Sequence, residues 1–452
     1  MNLQLRRCAG GWAGVAMSML FLCGPASAAD DRMGLMQAYE AALANDPKFQ
    51  WARAARQEGL EYQALGRARV LPTVSAVASS NRNRAEVTDS NGRVDNRGGY
   101  ASSTSSLQLR QPLYDPGAWA ARDQGIARTA ASEALFASRE QELMVRVFDA
   151  YSRALLAAEE VRLVQAQLRA LDEQLRSNEQ RLAGGEGTRT DVLETASKRS
   201  LMQAHLVVAQ DHAQSELNAL QAMIGVPVGT LERLKADGAG VPPLADSLDE
   251  WRARVLTFNS EVESLKQAIA AARQEVVRVE SGHLPRLELL MSVGDSQSDT
   301  TSTYQQSSRT GTVGLQLNVP LYAGGAVSAA VRQALAQLSK AEADLASRVA
   351  ELQVDLQRQY RVQRSSVQRI EALVAAVVTS HTLVDATRRS FVGGERTNVD
   401  VLDSQERLAQ SIRDLIEARY QQLFAGLRVR QLAGVLQEPD LRAVAAQFGD
   451  RP

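Results

Sequence analysis

The sequence predicts a mainly α-helical chain with a small β part. Very long antiparallel coiled-coil helices are joined to four strands, too few to close on themselves. Three observations predict this class. The chain is written twice, with landmarks recurring 208 to 213 positions apart. Long proline-free segments carry apolar residues at alternating spacings of three and four. Two pairs of segments alternate apolar and polar residues with a period of two.

Three landmarks carry the duplication. Leu71-Pro72-Thr73-Val74 returns as Leu284-Pro285-Arg286-Leu287, and the run from Leu107 through Pro112 to Tyr114 returns as Leu315 through Pro320 to Tyr322. The third is a turn, Phe391-Val392-Gly393-Gly394-Glu395-Arg396-Thr397-Asn398-Val399-Asp400-Val401-Leu402-Asp403. Its near copy is Leu182-Ala183-Gly184-Gly185-Glu186-Gly187-Thr188-Arg189-Thr190-Asp191-Val192-Leu193-Glu194. Glycine takes the left-handed conformation that ends a helix, and carboxylates favour the positive end of the next one. Each copy therefore reads as a tight turn between antiparallel helices.

The chain has 452 residues, 44% apolar and 23% charged, with a net charge of −1. That balance gives no reason to expect a nucleic-acid partner. Aromatic residues are only 5%, which suits Ala/Leu/Val/Gln/Arg-rich helices better than a large enzyme core. Arg6 and Arg7, the apolar run Trp12 to Leu22 and Ala26-Ser27-Ala28 read as a secretory signal over 1–28. Cys23 raises a lipoprotein reading, against which stands bulky Leu22. Cleavage after Ala28 removes Cys8 and Cys23, the only cysteines, leaving no disulfide or thiolate chemistry. No later apolar run is expected to be long enough for a membrane helix, so any crossing must use strands.

A first repeat occupies 29–224, an inter-repeat linker or equatorial segment 225–250, a second repeat 251–436, and a peripheral tail 437–452. In each repeat a helix (33–70 or 251–282) runs to a Leu-Pro pair, where proline ends it. Strands follow. Leu287, Leu289, Met291 and Val293 alternate with Glu288 and Ser292, and Val313, Leu315, Leu317 and Val319 with Gly314, Gln316 and Asn318. Val74, Ala76 and Ala78 alternate with Thr73, Ser75 and Ser79 less cleanly. Polar stretches at 81–100 and 295–309 read as exposed hairpin loops. Helices 118–183 and 326–392 come next, each about 100 Å long at about 1.5 Å per residue, and the turns lead into shorter helices at 190–224 and 398–436. The seam Val161, Val164, Leu168, Leu171, Leu175, Asn178, Leu182 repeats 209 residues later as Ile370, Leu373, Val377, Ser380, Val384, Thr387, Phe391. A single face of a globular helix would drift out of this register.

Four strands of about ten residues with an apolar side suit an outer-membrane barrel. They cannot close, and open edges are not tolerated in lipid. The barrel must be shared between chains. Tyr114 and Tyr322 fit an interfacial aromatic girdle, or simply pack at strand-to-helix corners.

The duplicated strands, the long coiled coils and the turn Gly393-Gly394-Glu395-Arg396-Thr397 with Asp400-Val401-Leu402-Asp403 resemble the TolC family of outer-membrane export channels, across about 33–438. The resemblance implies a homotrimer with a twelve-stranded barrel in outer-membrane lipid. It also implies a helical duct through the periplasm whose coiled-coil tips close the inner end. A periplasmic adaptor and an inner-membrane ABC or proton-driven pump supply partners and energy, for type I protein secretion or drug efflux. Asp400 and Asp403 match an acidic pair lining the closed entrance, and Arg396 matches an arginine that holds it shut. Asp191 and Thr190 match that arginine's partners. Phe391 departs from the family, which has a tyrosine bonded to the locking aspartate there. The residues alone read rather as helix N-terminal acids capping a turn, with Arg396 a surface cation.

No catalytic residue, metal site or cofactor is expected. His205, His212, His283 and His381 are scattered, and no Gly-Lys-Ser/Thr, Gly-x-Ser-x-Gly or dinucleotide fingerprint occurs. The rival reading is a poreless periplasmic adaptor or scaffold, which calls for one helical hairpin flanked by compact β-domains.

Overall fold

The computed structural model describes residues 32–88, 90–92, 94–235, 244, 246–298 and 306–449. The expected signal at 1–28 and Pro242-Pro243 lie outside them. The first repeat runs β1 (Arg32–Met33), α1 (Leu35–Asn45), α2 (Pro47–Ala68), β2 (Thr73–Thr88), β3 (Val94–Tyr114), α3 (Pro116–Ala183) and α4 (Arg189–Ile224). After β4 (Thr230–Leu231), the second runs α5 (Leu248–Phe258), α6 (Ser260–Glu280), β5 (Arg286–Ser298), β6 (Gln306–Asn318), α7 (Ala326–Val392) and α8 (Asn398–Leu432), and α9 (Glu438–Ala445) closes the chain.

β2, β3, β5 and β6 form one antiparallel sheet in that order. Its register aligns the period-two pattern across all four strands. One row reads Val74, Leu109, Met291, Val313, and the neighbouring row reads Ser75, Gln108, Ser292, Thr312. Adjacent residues of a strand point to opposite faces, so the sheet has one apolar and one largely polar side. The apolar side is bare, with Val313 72% exposed in the isolated chain. Among the described residues nothing pairs with the outer edges of β2 and β6.

α3 and α7 have 68 and 67 residues, about 100 Å each at the helical rise. α3 packs against α4 over one half and against α2 and α6 over the other, while α7 pairs with α8 and α6. Where these partners meet end to end, a core gathers Leu35 and Tyr39 of α1, Phe148 and Tyr151 of α3, Leu220 and Ile224 of α4, and Leu423 and Leu427 of α8. Tyr151, fully buried, donates its hydroxyl hydrogen between the carbonyls of Met33 (3.0 Å) and Glu232 (2.9 Å), tying the β1–β4 ribbon to α3. The second repeat repeats the device with Trp251 and Val255 of α5 against Leu352 and Leu356 of α7.

Several expectations are corrected. The helices placed at 33–70 and 251–282 each break in two. Asp46 caps α2, accepting from the Phe49 N–H at 3.1 Å with Pro47 in the first turn, and Asn259 caps α6 through the Val262 N–H at 2.9 Å. The polar stretch 81–100 is mostly strand: β2 and β3 continue to Thr88 and from Val94 because ladder bonds within a hairpin outweigh polar side chains. Residues 299–305 of the second expected loop lie outside the described ones. One stretch of α7 is apolar enough to span a bilayer by composition alone. It lies within a 67-residue coiled-coil helix, and its exposed Val374, Val378 and Leu383 form a flank without a cover in one chain.

The tail is not peripheral either. Leu441 and Val444 of α9 are buried, and Phe448 meets Tyr151 edge-on at 5.6 Å beside Phe148 and Tyr420. Leu234 bridges to Phe448, so the inter-repeat segment and the tail complete one core. Phe448→Ala should therefore cost about 3–5 kcal/mol, seen as an earlier loss of helical circular dichroism on heating and faster tryptic cleavage. An unchanged melting profile would return the tail to the periphery.

Candidate functional site at the helical tip

The two glycine turns sit at the common end of α3, α4, α7 and α8. Gly185 and Gly394 take left-handed conformations, φ 80° and 81°. Beyond them the Glu186 N–H donates to the Arg181 carbonyl and the Glu395 N–H to the Ser390 carbonyl, both at 2.9 Å. Gly184 and Gly393 close the helices one residue earlier. A side chain at φ near +80° is strained, which is why glycine stands at both positions.

Each following helix opens with a capping box. Thr188 and Asp191 cap α4, and Thr397 and Asp400 cap α8. The Thr397 N–H and hydroxyl donate to Asp400 Oδ2 at 2.9 and 2.8 Å. These two bonds, with the Arg396 charge adding less, hold the Asp400 carboxyl below its usual range. Asp191 accepts likewise from the Thr188 N–H (3.2 Å) and hydroxyl (2.7 Å). Asp191 and Asp400 are thus the same structural position in the two repeats.

Within one chain Arg396 faces Asp400, Nη1 to Oδ1 at 3.7 Å, and makes no bond to Asp191 or exposed Thr190 among the described residues. Asp403 pairs with Lys198 of α4 at 2.9 Å, and Glu406 stands 3.9 Å from the same ammonium. That link joins the two repeats and partly neutralises one of the two carboxylates matched to the entrance pair. Such exposed pairs are worth about 0–1 kcal/mol each. Phe391 is nearly buried, with the Arg181 guanidinium 4.6 Å above its ring. A cation–π contact thereby joins the last turns of α3 and α7. At the other end of the chain, Tyr114 packs edge-on against Trp119 at 5.4 Å, as a corner residue would, while Tyr322 is almost fully exposed.

Sequence reasoning missed a buried polar cluster just inside the tip. Gln174 and Asn178 of α3, Thr195 of α4 and Asn398 of α8 are 4%, 2%, 0% and 1% exposed. Asn398 Oδ1 accepts from Gln174 Nε2 (2.9 Å) and Asn178 Nδ2 (3.0 Å), and Thr195 Oγ1 accepts from Asn178 Nδ2 (3.0 Å) and Asn398 Nδ2 (2.9 Å). The Thr195 hydroxyl donates onward to the Asp191 carbonyl at 2.8 Å. The available signal was Asn178 itself, a polar residue on an apolar seam.

Among the described residues no group of three or more His, Cys, Asp or Glu is placed to hold a metal ion. The tip offers capping, charge pairing and helix–helix locking, and the sheet offers an apolar exterior with a polar reverse face.

Comparison with known proteins agrees with this architecture. A family model described as outer membrane efflux protein matches residues 38–226 and 251–435, one match per repeat. The alkaline protease secretion protein AprF of Pseudomonas aeruginosa is 38% identical, over 93% of this chain and 89% of that protein. The proteases secretion protein PrtF of Dickeya chrysanthemi is 36% identical, over 93% and 92%. Among solved structures, the outer membrane protein VceC of Vibrio cholerae superposes with a TM-score of 0.76 at 18% identity, covering 88% of this chain and 96% of that one. Nothing supports the poreless adaptor, since the strands form one open sheet and the helical hairpin occurs twice. The chain belongs to the outer membrane efflux protein family, and it is an export channel of the outer membrane.

Proposed function

We propose that three copies of this chain close a twelve-stranded barrel and form a duct for secreted protein, gated at the helical tip. The carrying observation is the four-stranded sheet with an exposed apolar face and, among the described residues, no strand paired to the outer edges of β2 and β6. Edge pairing between copies satisfies those backbone groups, and the polar rows then line a water-filled lumen. Protein cargo is favoured over small molecules because both of the relatives cited above are named for protease secretion. A periplasmic adaptor and an inner-membrane pump supply energy that the chain itself does not generate.

The gate rests on the paired turns. Both of Asp191's capping bonds use Oδ2, leaving Oδ1 for a guanidinium. Arg396 of a neighbouring copy is the fitting donor, with Thr190 beside it, since a guanidinium can bridge a carboxylate and a hydroxyl with directed bonds. Asp400 and Asp403, three residues apart, share a helix face, and threefold symmetry turns them into two acidic rings that bind cations.

The purified protein should run as a detergent-solubilised trimer and form pores in planar bilayers; a water-soluble monomer would defeat the channel reading. Deleting its gene should abolish release of a secreted protein while leaving drug sensitivity unchanged, and the reverse outcome selects efflux. Arg396→Ser should raise single-channel conductance, and an unaltered value removes Arg396 from the gate.

Replacing Asp400 and Asp403 with Ala should weaken block by multivalent cations from the tip side, whereas Lys198→Ala should strengthen it by freeing Asp403. If neither change moves the block, these acids only cap and pair. Because Asp400 is held below its ordinary pKa, its charge and its cap are fully present at neutral pH. The part of the block owed to Asp400 should therefore persist to lower pH than an ordinary aspartate would allow.

A further inference from the structure

The cluster of Gln174, Asn178, Thr195 and Asn398 occurs once, although the chain is duplicated. At the 209-residue offset the second-repeat counterparts of Gln174, Asn178 and Thr195 are Leu383, Thr387 and Ser404, and the first-repeat counterpart of Asn398 is Arg189. Ordinary coiled-coil packing does not require the cluster, since the pseudo-equivalent place does without it. Its members come from α3 and α4 on one side and α8 on the other: Asn178 ties α3 to Thr195 of α4, and the bonds to and from Asn398 join that hairpin to α8.

The network is also complete. The side-chain amide hydrogens of Gln174 go to Asn178 Oδ1 (3.2 Å) and Asn398 Oδ1 (2.9 Å). Asn178 gives its hydrogens to Asn398 Oδ1 and Thr195 Oγ1, and Asn398 gives one to Thr195 Oγ1. The other Asn398 hydrogen points to the Asp191 carbonyl, 3.4 Å away. An amide carries two donors and a hydroxyl one donor with two acceptor sites, and here each donor has a partner. Parting α8 from α3 and α4 would strand several of them at once, and each stranded buried group is costly.

We propose that this cluster is a buried catch, holding the α7–α8 hairpin against the α3–α4 hairpin within each copy and keeping the tip shut. It rests on the channel reading above but not on Arg396, whose links are exposed. A buried catch also differs from an ion-pair lock in being little weakened by salt.

The test uses the full-length protein in planar bilayers. Thr195→Val keeps the shape and removes the hydroxyl at the centre of the network; Asn398→Leu replaces the amide that spans the hairpins. Both should raise single-channel conductance severalfold at low and at high salt while heat-resistant trimers persist on gels. Thr195→Ser, which restores the hydroxyl, should return conductance to the unmodified value. Unchanged conductance in Thr195→Val with intact trimers overturns the catch, whatever becomes of Asn398→Leu. A similar rise in Thr195→Ser also overturns it, because conductance would then rise with the hydroxyl and its bonds still in place. If the unmodified protein forms no pores, the channel reading fails instead, so the two failures are distinguishable.

Discussion

The structure depends on a backbone constraint: the outer edges of β2 and β6 carry N–H and C=O groups that lipid cannot satisfy. The register explains why lipid is the setting at all. Val74, Leu109, Met291 and Val313 make one continuous apolar row, and among the described residues no helix covers it. A water-soluble body would have packed a helix there. Here the helices leave the sheet at one end, through Pro116 and Ala326, and run about 100 Å away from it.

Length creates a second constraint. A helix of 67 or 68 residues needs cover along its whole length, and among the described residues α3 and α7 do not cover each other. It supplies shorter partners in tandem and seals the joints at mid-height. Asp46 and Asn259 break the helices where the joints fall, and α1, α5, the β1–β4 ribbon and the C-terminal Phe448 fill the gaps. Asp46 is doubly committed, capping α2 and pairing with Arg146 of α3, so the break in one helix is tied to the path of another.

Much of this was legible. Heptad seams, period-two strands and glycine turns are local patterns with fixed spacing, and duplication wrote each of them twice. The helix breaks were readable in principle: Asn45-Asp46-Pro47 places a capping residue before a proline at the first helical position. The tail was not, because nothing in Leu441, Val444 or Phe448 says which core they fill. At the tip the turns were visible, whereas the pairing of Asp403 with Lys198 and the gathering of Gln174 around Asn398 were not. Those contacts join residues 205 and 224 positions apart, a distance at which no periodicity carries information.

The tip combines two kinds of interaction, and their energies set how it can behave. Exposed links such as Lys198–Asp403 and Arg396–Asp400 contribute little and weaken with salt. Buried amide bonds contribute about 1 kcal/mol each when made and cost about 1–3 kcal/mol when one partner is stranded. On the gated reading proposed above, a closed state held by a few such terms is firm enough to limit leakage, since about 5.5 kcal/mol separates a 99:1 population from its inverse. It also lies within reach of a partner that grips the open arrangement more tightly by that amount. Duplication gave the two turns the same glycines and the same caps. At the tip the repeats differ in Arg396, whose first-repeat counterpart is Gly187, and in the buried amides, which on the reading proposed above latch one hairpin to the other.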